Sequence, residues 1–123
     1  MKKCVKKEIE KLIKLEKLNC SVEEFGDKVD WDNISSDKKL SLNFIKEFQN
    51  KVNWYHISLK QKLSENFIRE FKDKVIWENI SFYQKLSLDF IREFEEKIDL
   101  KSILLNQKCI KDLIFPAKEK SEV

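Results

Sequence analysis

The chain has 123 residues, 41% of them hydrophobic and 38% charged, with a net charge of +3. Glycine and proline occur once each, as Gly26 and Pro116, which excludes a glycine-rich phosphate cradle or dinucleotide turn and argues against a sheet protein built on tight turns. The charge is too small to specify a polyanionic partner and is concentrated at one end: residues 1–18 carry seven lysines and three glutamates, and the rest of the chain sums to −1.

The first predicted element is a helix over residues 3–18, with Val5, Ile9, Leu12 and either Leu15 or Ile13 on one face and lysines opposite. Its favoured reading is an amphipathic helix that caps the array described below. Docking on nucleic acid or an acidic protein surface is a second reading. A membrane-surface role is the weakest, because the segment lacks large aromatic anchors. Ser21-Val22-Glu23-Glu24 has the form of a capping box, in which a serine hydroxyl and a glutamate three residues on each accept the other's backbone N–H.

From residue 25 the chain repeats itself with a period of 23. Phe25, Phe48, Phe71 and Phe94 are in register, as are Trp31, Trp54 and Trp77, and Phe44, Phe67 and Phe90. Units 25–47, 48–70 and 71–93 are identical in twelve of 23 columns; a degraded fourth unit, 94–116, has Leu100 for Trp, Cys109 for Leu and Leu113 for Phe. This marks a repeat architecture. Each unit is expected to hold two helices. Short ones are predicted near 31–37, 54–60 and 77–83, with Asp30 and Asn53 as caps and Asp99 capping the fourth; each carries a Trp and an Ile three residues later. Longer ones are predicted near 42–51, 65–74 and 88–97, capped by Ser41, Ser64 and Ser87. Leu40/Ile45, Leu63/Ile68 and Leu86/Ile91 take the positions of hydrophobic staples. Glu47–Lys51, Glu70–Lys74 and Glu93–Lys97 are spaced as helical ion pairs on the solvent side. The short helices, about two turns long, are not stable alone and must dock Trp and Ile against the longer ones, so the units are expected to stack. Pro116 ends the last helix and residues 117–123 form a tail. The predicted fold is all-α: a single domain of residues 1–123, a short αα-repeat solenoid between an N-terminal cap (1–24) and a degraded C-terminal repeat.

The pattern FxxKVxWxxIS followed by KLSxxFIxE resembles the short tryptophan-containing repeats of phage, prophage and giant-virus proteins, over residues 25–93 and more weakly over 94–116. The resemblance implies a mobile-element protein with an αα-repeat fold; it brings no catalytic or ligand residues.

Chemistry has little to work with. His56 is the single histidine, and Cys4, Cys20 and Cys109 are scattered without a CxxC pair, so no zinc framework or nucleophile–base grouping is legible and no metal or cofactor is expected. The cysteines read as reduced thiols of a cytoplasmic protein of a bacterial host cell. No secretory signal is visible, and no stretch approaches the ~20 apolar residues of a membrane span.

The repeat itself exposes candidate contact residues. Columns that recur must build the common core, whereas varying columns are free to lie on the surface. Apolar residues in varying columns are therefore of interest: Tyr55, Leu59, Phe82 and Tyr83 above all, with Ile76, Leu104 and Leu105 behind them. Tyr55 replaces Asp32 and Glu78; Leu59 and Phe82 replace Ser36; Tyr83 replaces Asp37 and Lys60. Two roles stay open for them: a partner-binding ridge, or filling between units and beneath the terminal helix. His56, beside Trp54 in a varying column, is expected at the surface with a hydrogen-bonding role at such an interface. The functional expectation is a non-enzymatic protein-binding module. Joined to the viral resemblance, it becomes a phage or prophage counter-defence inhibitor, of the anti-CRISPR kind, that occludes a bacterial nuclease complex. A nucleic-acid-binding accessory protein and a structural or self-assembling repeat protein are the alternatives.

Overall fold

The computed structural model describes residues 1–106 of the chain, without the side chains of 104–106. Cys109, Leu113, Pro116 and the expected tail lie outside the described residues, and nothing follows here for the side chains of Leu104 and Leu105. The described residues form nine helices and no strands: α1 Lys3–Leu15, α2 Phe25–Lys28, α3 Trp31–Asp37, α4 Leu42–Glu47, α5 Trp54–Lys60, α6 Glu65–Glu70, α7 Trp77–Tyr83, α8 Leu88–Glu93 and α9 Leu100–Asn106. Packing follows chain order: α3 lies on α5, α5 on α7, α7 on α9, and α1 covers α4.

Helix α1 is shorter than its apolar pattern. Val5, Ile9 and Leu12 are buried, Ile13 is half-buried and Leu15 is exposed. The helix ends in a Schellman turn: Lys17 takes a left-handed φ of 54°, its N–H bonds the Lys14 carbonyl, and Leu18 N–H bonds the Ile13 carbonyl at 2.9 Å. The capping box forms as expected, with Ser21 N–H donating to Glu24 Oε1 at 3.0 Å and Glu24 N–H to Ser21 Oγ at 3.2 Å. These bonds from Ser21 hold the Glu24 carboxyl below its ordinary range.

The serine caps behave alike. Ser41, Ser64 and Ser87 each accept the N–H of the phenylalanine three residues on, at 3.1 Å. Leu40, Leu63, Leu86, Ile45, Ile68 and Ile91 are buried at the staple positions. The helices that follow are shorter than predicted. They stop at Glu47, Glu70 and Glu93, because Phe48, Phe71 and Phe94 rotate to ψ of about 30° and begin a separate turn. The expected ion pairs four residues apart are consequently absent among the described residues. The charges pair between units instead: Lys46 with Glu70 at 3.0 Å, Lys51 with Asp27 at 3.6 Å and Arg69 with Glu93 at 2.9 Å.

That turn explains the tryptophan column. Each indole N–H donates to the carbonyl five residues earlier: Trp31 to Gly26 at 2.9 Å, Trp54 to Gln49 at 2.9 Å and Trp77 to Lys72 at 3.0 Å. The rings are half-buried and pack on the paired phenylalanines, as in Trp31–Phe48 (5.0 Å between centroids) and Trp77–Phe94 (5.1 Å). Tryptophan serves here as both wall and tie, a polar handle on an apolar body. Beneath it Ile34, Ile57, Ile80 and Ile103 are fully buried.

Two polar columns fasten successive units and were not singled out from the sequence. Ser35, Ser58 and Ser81 are fully buried, and their hydroxyls accept the backbone N–H of Asn53, Ile76 and Asp99, the residues that open the next short helix. Gln61 and Gln84 are buried as well. Gln61 donates to the carbonyls of Ser35 and Lys38 and accepts from Leu40 N–H; Gln84 does the same to Ser58, Gln61 and Leu63. Each glutamine thereby satisfies three backbone groups that are buried or partly buried between the units. The first unit has Lys38 in this column, and it turns outward to Glu16 at the end of α1, 3.1 Å away.

Candidate functional site

Tyr55 and Leu59 are four residues apart on α5, so they share one face of that helix; Glu78 and Phe82 stand in the same relation on α7. Because α5 lies on α7 and α7 on α9, these faces meet in a groove lined by Tyr55, Leu59, Glu78, Asn79, Phe82, Tyr83 and Ser102. Four of the five candidate residues thus come together in one concavity. Tyr55 and Tyr83 are just over half exposed, at 54% and 53%, while Leu59 and Phe82 are half-buried beneath them. The Phe82 and Tyr83 rings lie 4.7 Å apart.

Asn79 forms part of the floor and is buried, its side-chain amide donating to the Tyr55 carbonyl at 3.1 Å. This bond ties α7 to α5 beside the groove. Glu78 is exposed and has no ion pair or hydrogen bond among the described residues. The repeat shows why. In the first unit the equivalent Asp32 accepts the Asn53 side-chain amide at 2.7 Å, whereas the residue equivalent to Asn53 after Glu78 is Asp99, another acid. Asp99 directs its own carboxylate to Lys101 N–H, Ser102 N–H and the Ser102 hydroxyl.

His56 is the exception, and the expectation for it is corrected. It is half-buried rather than exposed and does not line the groove. Its column faces the preceding unit: Asn79 bonds Tyr55 from there, and Asn33 bonds Glu16. Histidine fits that place imperfectly. Its ring meets Tyr55 edge-on at 5.6 Å, and its Nδ1 is enclosed with no hydrogen-bond partner. Ile76 is 37% exposed at the start of α7, where the other short helices have a capping side chain.

The N-terminal helix spends several of its polar groups on the array. Glu8 accepts both the Ser41 N–H and hydroxyl, Lys2 reaches Asn43, and Glu16 holds Lys38 and Asn33. Among the described residues, no three His, Cys, Asp or Glu side chains gather into a metal-holding group, and no helix is long and apolar enough to cross a membrane. No protein-family model, curated protein or solved structure matches the chain.

Proposed function

We propose that this protein is a non-enzymatic binding module, a short αα-repeat solenoid whose groove between α5, α7 and α9 docks a partner protein. The observation that carries the reading is the convergence of Tyr55, Leu59, Phe82 and Tyr83, the apolar departures from the repeat, on one exposed concavity. Tyr55 and Tyr83 are just over half exposed, so among the described residues they are not consumed by the core. Rigid aromatic side chains in a pocket are the usual anchors of a protein interface. The backbone beneath is held by buried staples, so the groove is presented ready-made and binding costs little ordering.

The sequence resemblance to viral tryptophan repeats directs the search for the partner to bacterial defence, with occlusion of a nuclease complex as the mode of action. The alternative is nucleic-acid binding through the lysines of α1, which stay exposed while Val5, Ile9 and Leu12 on the opposite face are buried. Affinity capture from the bacterial host, with the wild type and the Phe82→Ser/Tyr83→Asp variant compared by mass spectrometry, tests the reading. A partner held by the wild type at both low and high salt, and lost by the folded variant, supports it. Binding that collapses with salt and is indifferent to the variant supports nucleic-acid contact instead.

A further inference from the structure

Resting on the protein-binding reading, we infer that the groove reads a basic side chain of the partner, an arginine above all, with Glu78 as its counter-charge and Tyr55 and Tyr83 as its walls. Three observations lead there. Glu78 is the charged residue among those lining the groove, and it has no ion-pair or hydrogen-bond partner among the described residues. Its equivalent in the first unit, Asp32, is satisfied by the Asn53 side-chain amide, whereas the residue in the Asn53 column after Glu78 is Asp99, which cannot supply such a donor. Lys60 and Lys101 are exposed nearby in sequence but do not line the groove.

A carboxylate beside aromatic faces is the chemistry that receives a guanidinium. The planar group can donate two parallel hydrogen bonds to the carboxylate while its face lies on a ring. The chain already builds this arrangement internally. Arg69 donates from Nε to both carboxylate oxygens of Glu93, at 2.9 and 3.1 Å, its Nη2 pairs with the same carboxylate at 2.9 Å, and its guanidinium carbon stands 5.3 Å from the centre of the Phe90 ring. The groove has a carboxylate, Glu78, and two tyrosine rings, Tyr55 and Tyr83, among its lining residues. Leu59 and Phe82 then take the apolar neighbours of the arginine in the partner's sequence. A lysine would fit the charge but not the two-pronged geometry, so it binds more weakly.

The test uses the full chain labelled with ¹⁵N and two capped tripeptides, acetyl-Leu-Arg-Leu-amide and the same peptide with citrulline, which keeps the shape of arginine and removes its charge. Titration followed by NMR is expected to move the amide signals around Tyr55, Glu78 and Tyr83, with the arginine peptide binding at least tenfold more tightly than the citrulline one. Glu78→Gln is expected to erase that difference; Glu78 makes no bond that the fold depends on, and an unchanged circular dichroism spectrum verifies this. Equal binding of the two peptides by the wild type overturns the inference, as do signals that move only elsewhere, or none that move at all. The outcome also separates this inference from the reading beneath it. If Glu78→Gln holds the captured partner as well as the wild type while Phe82→Ser/Tyr83→Asp loses it, the groove is a binding site that does not read charge. If both variants hold the partner, the groove is not the binding site.

Discussion

The side-chain amide of Gln84 donates to the main-chain carbonyl of Gln61 at 2.7 Å, and Gln61 makes the same bond to Lys38 at 2.6 Å one unit earlier. The residue that fastens one unit therefore offers its backbone to the next. Both side chains are almost fully buried, so these bonds are not exchanged with water. Gln84→Leu fills the same space but strands Leu63 N–H and the Ser58 and Gln61 carbonyls. The expected cost is about 2 kcal/mol or more, since each unsatisfied buried group costs roughly 1–3 kcal/mol. A chemical denaturation midpoint equal to that of the wild type would show the staple to be dispensable.

The three serine caps are not equally supported. Ser41 and Ser87 also donate to Glu8 and Glu65, whereas Ser64 faces Leu42 in the column of Glu65 and has no such carboxylate. Ser64 is thus the clean test of capping alone. Ser64→Ala is expected to destabilise the protein by about 0.5–2 kcal/mol, read from the same denaturation curves. No change would mean that the bond to Phe67 N–H contributes nothing.

Ile76 opens α7 without a side-chain cap, where Asp30 and Asn53 open α3 and α5 with one. Ile76→Asn supplies the missing acceptor at an exposed position. It is expected to stabilise the fold by about 1 kcal/mol, the usual worth of an N-cap. A lower midpoint would show instead that the isoleucine packs to more effect than its exposure indicates.

Much of the fold was legible because the repeat supplied the same residues three times. The serine caps, the staples and the Trp/Ile faces follow from local spacing and were found where spacing put them. The break at Phe48, Phe71 and Phe94 was not legible. Apolar periodicity runs straight through it, and the tryptophan bond that holds the new turn joins groups whose meeting depends on tertiary geometry. Buried Ser58 and Gln61 were missed for a related reason: polar residues look like surface until their backbone partners, 18 to 26 residues away, are known. For Ser58 the available signal was a column identical in three units; the Gln61 column has Lys38 in the first unit and carried no such signal. Departure from the repeat located Tyr55, Leu59, Phe82 and Tyr83, which the structure gathers into one groove, but could not tell which departures face solvent, and so it included His56.

His56 gives that distinction a measurable form. Asparagine occupies its column in the units on either side and bonds the preceding element in both. His56→Asn removes an enclosed nitrogen without a partner and restores an amide that can donate across to α3. The expected result is a gain of about 1 kcal/mol in stability with no loss of partner binding. A loss of binding without unfolding would return His56 to the interface.

The central claim, that the groove between α5, α7 and α9 is the contact surface, is tested most directly by photo-crosslinking. A benzophenone amino acid placed at Tyr83 stands at the groove, and one placed at Lys7 stands on the exposed face of α1. In host extract the account predicts a discrete crosslinked protein from position 83 and none of that size from position 7. The same adduct from position 7 alone, or equally from both positions, would contradict it.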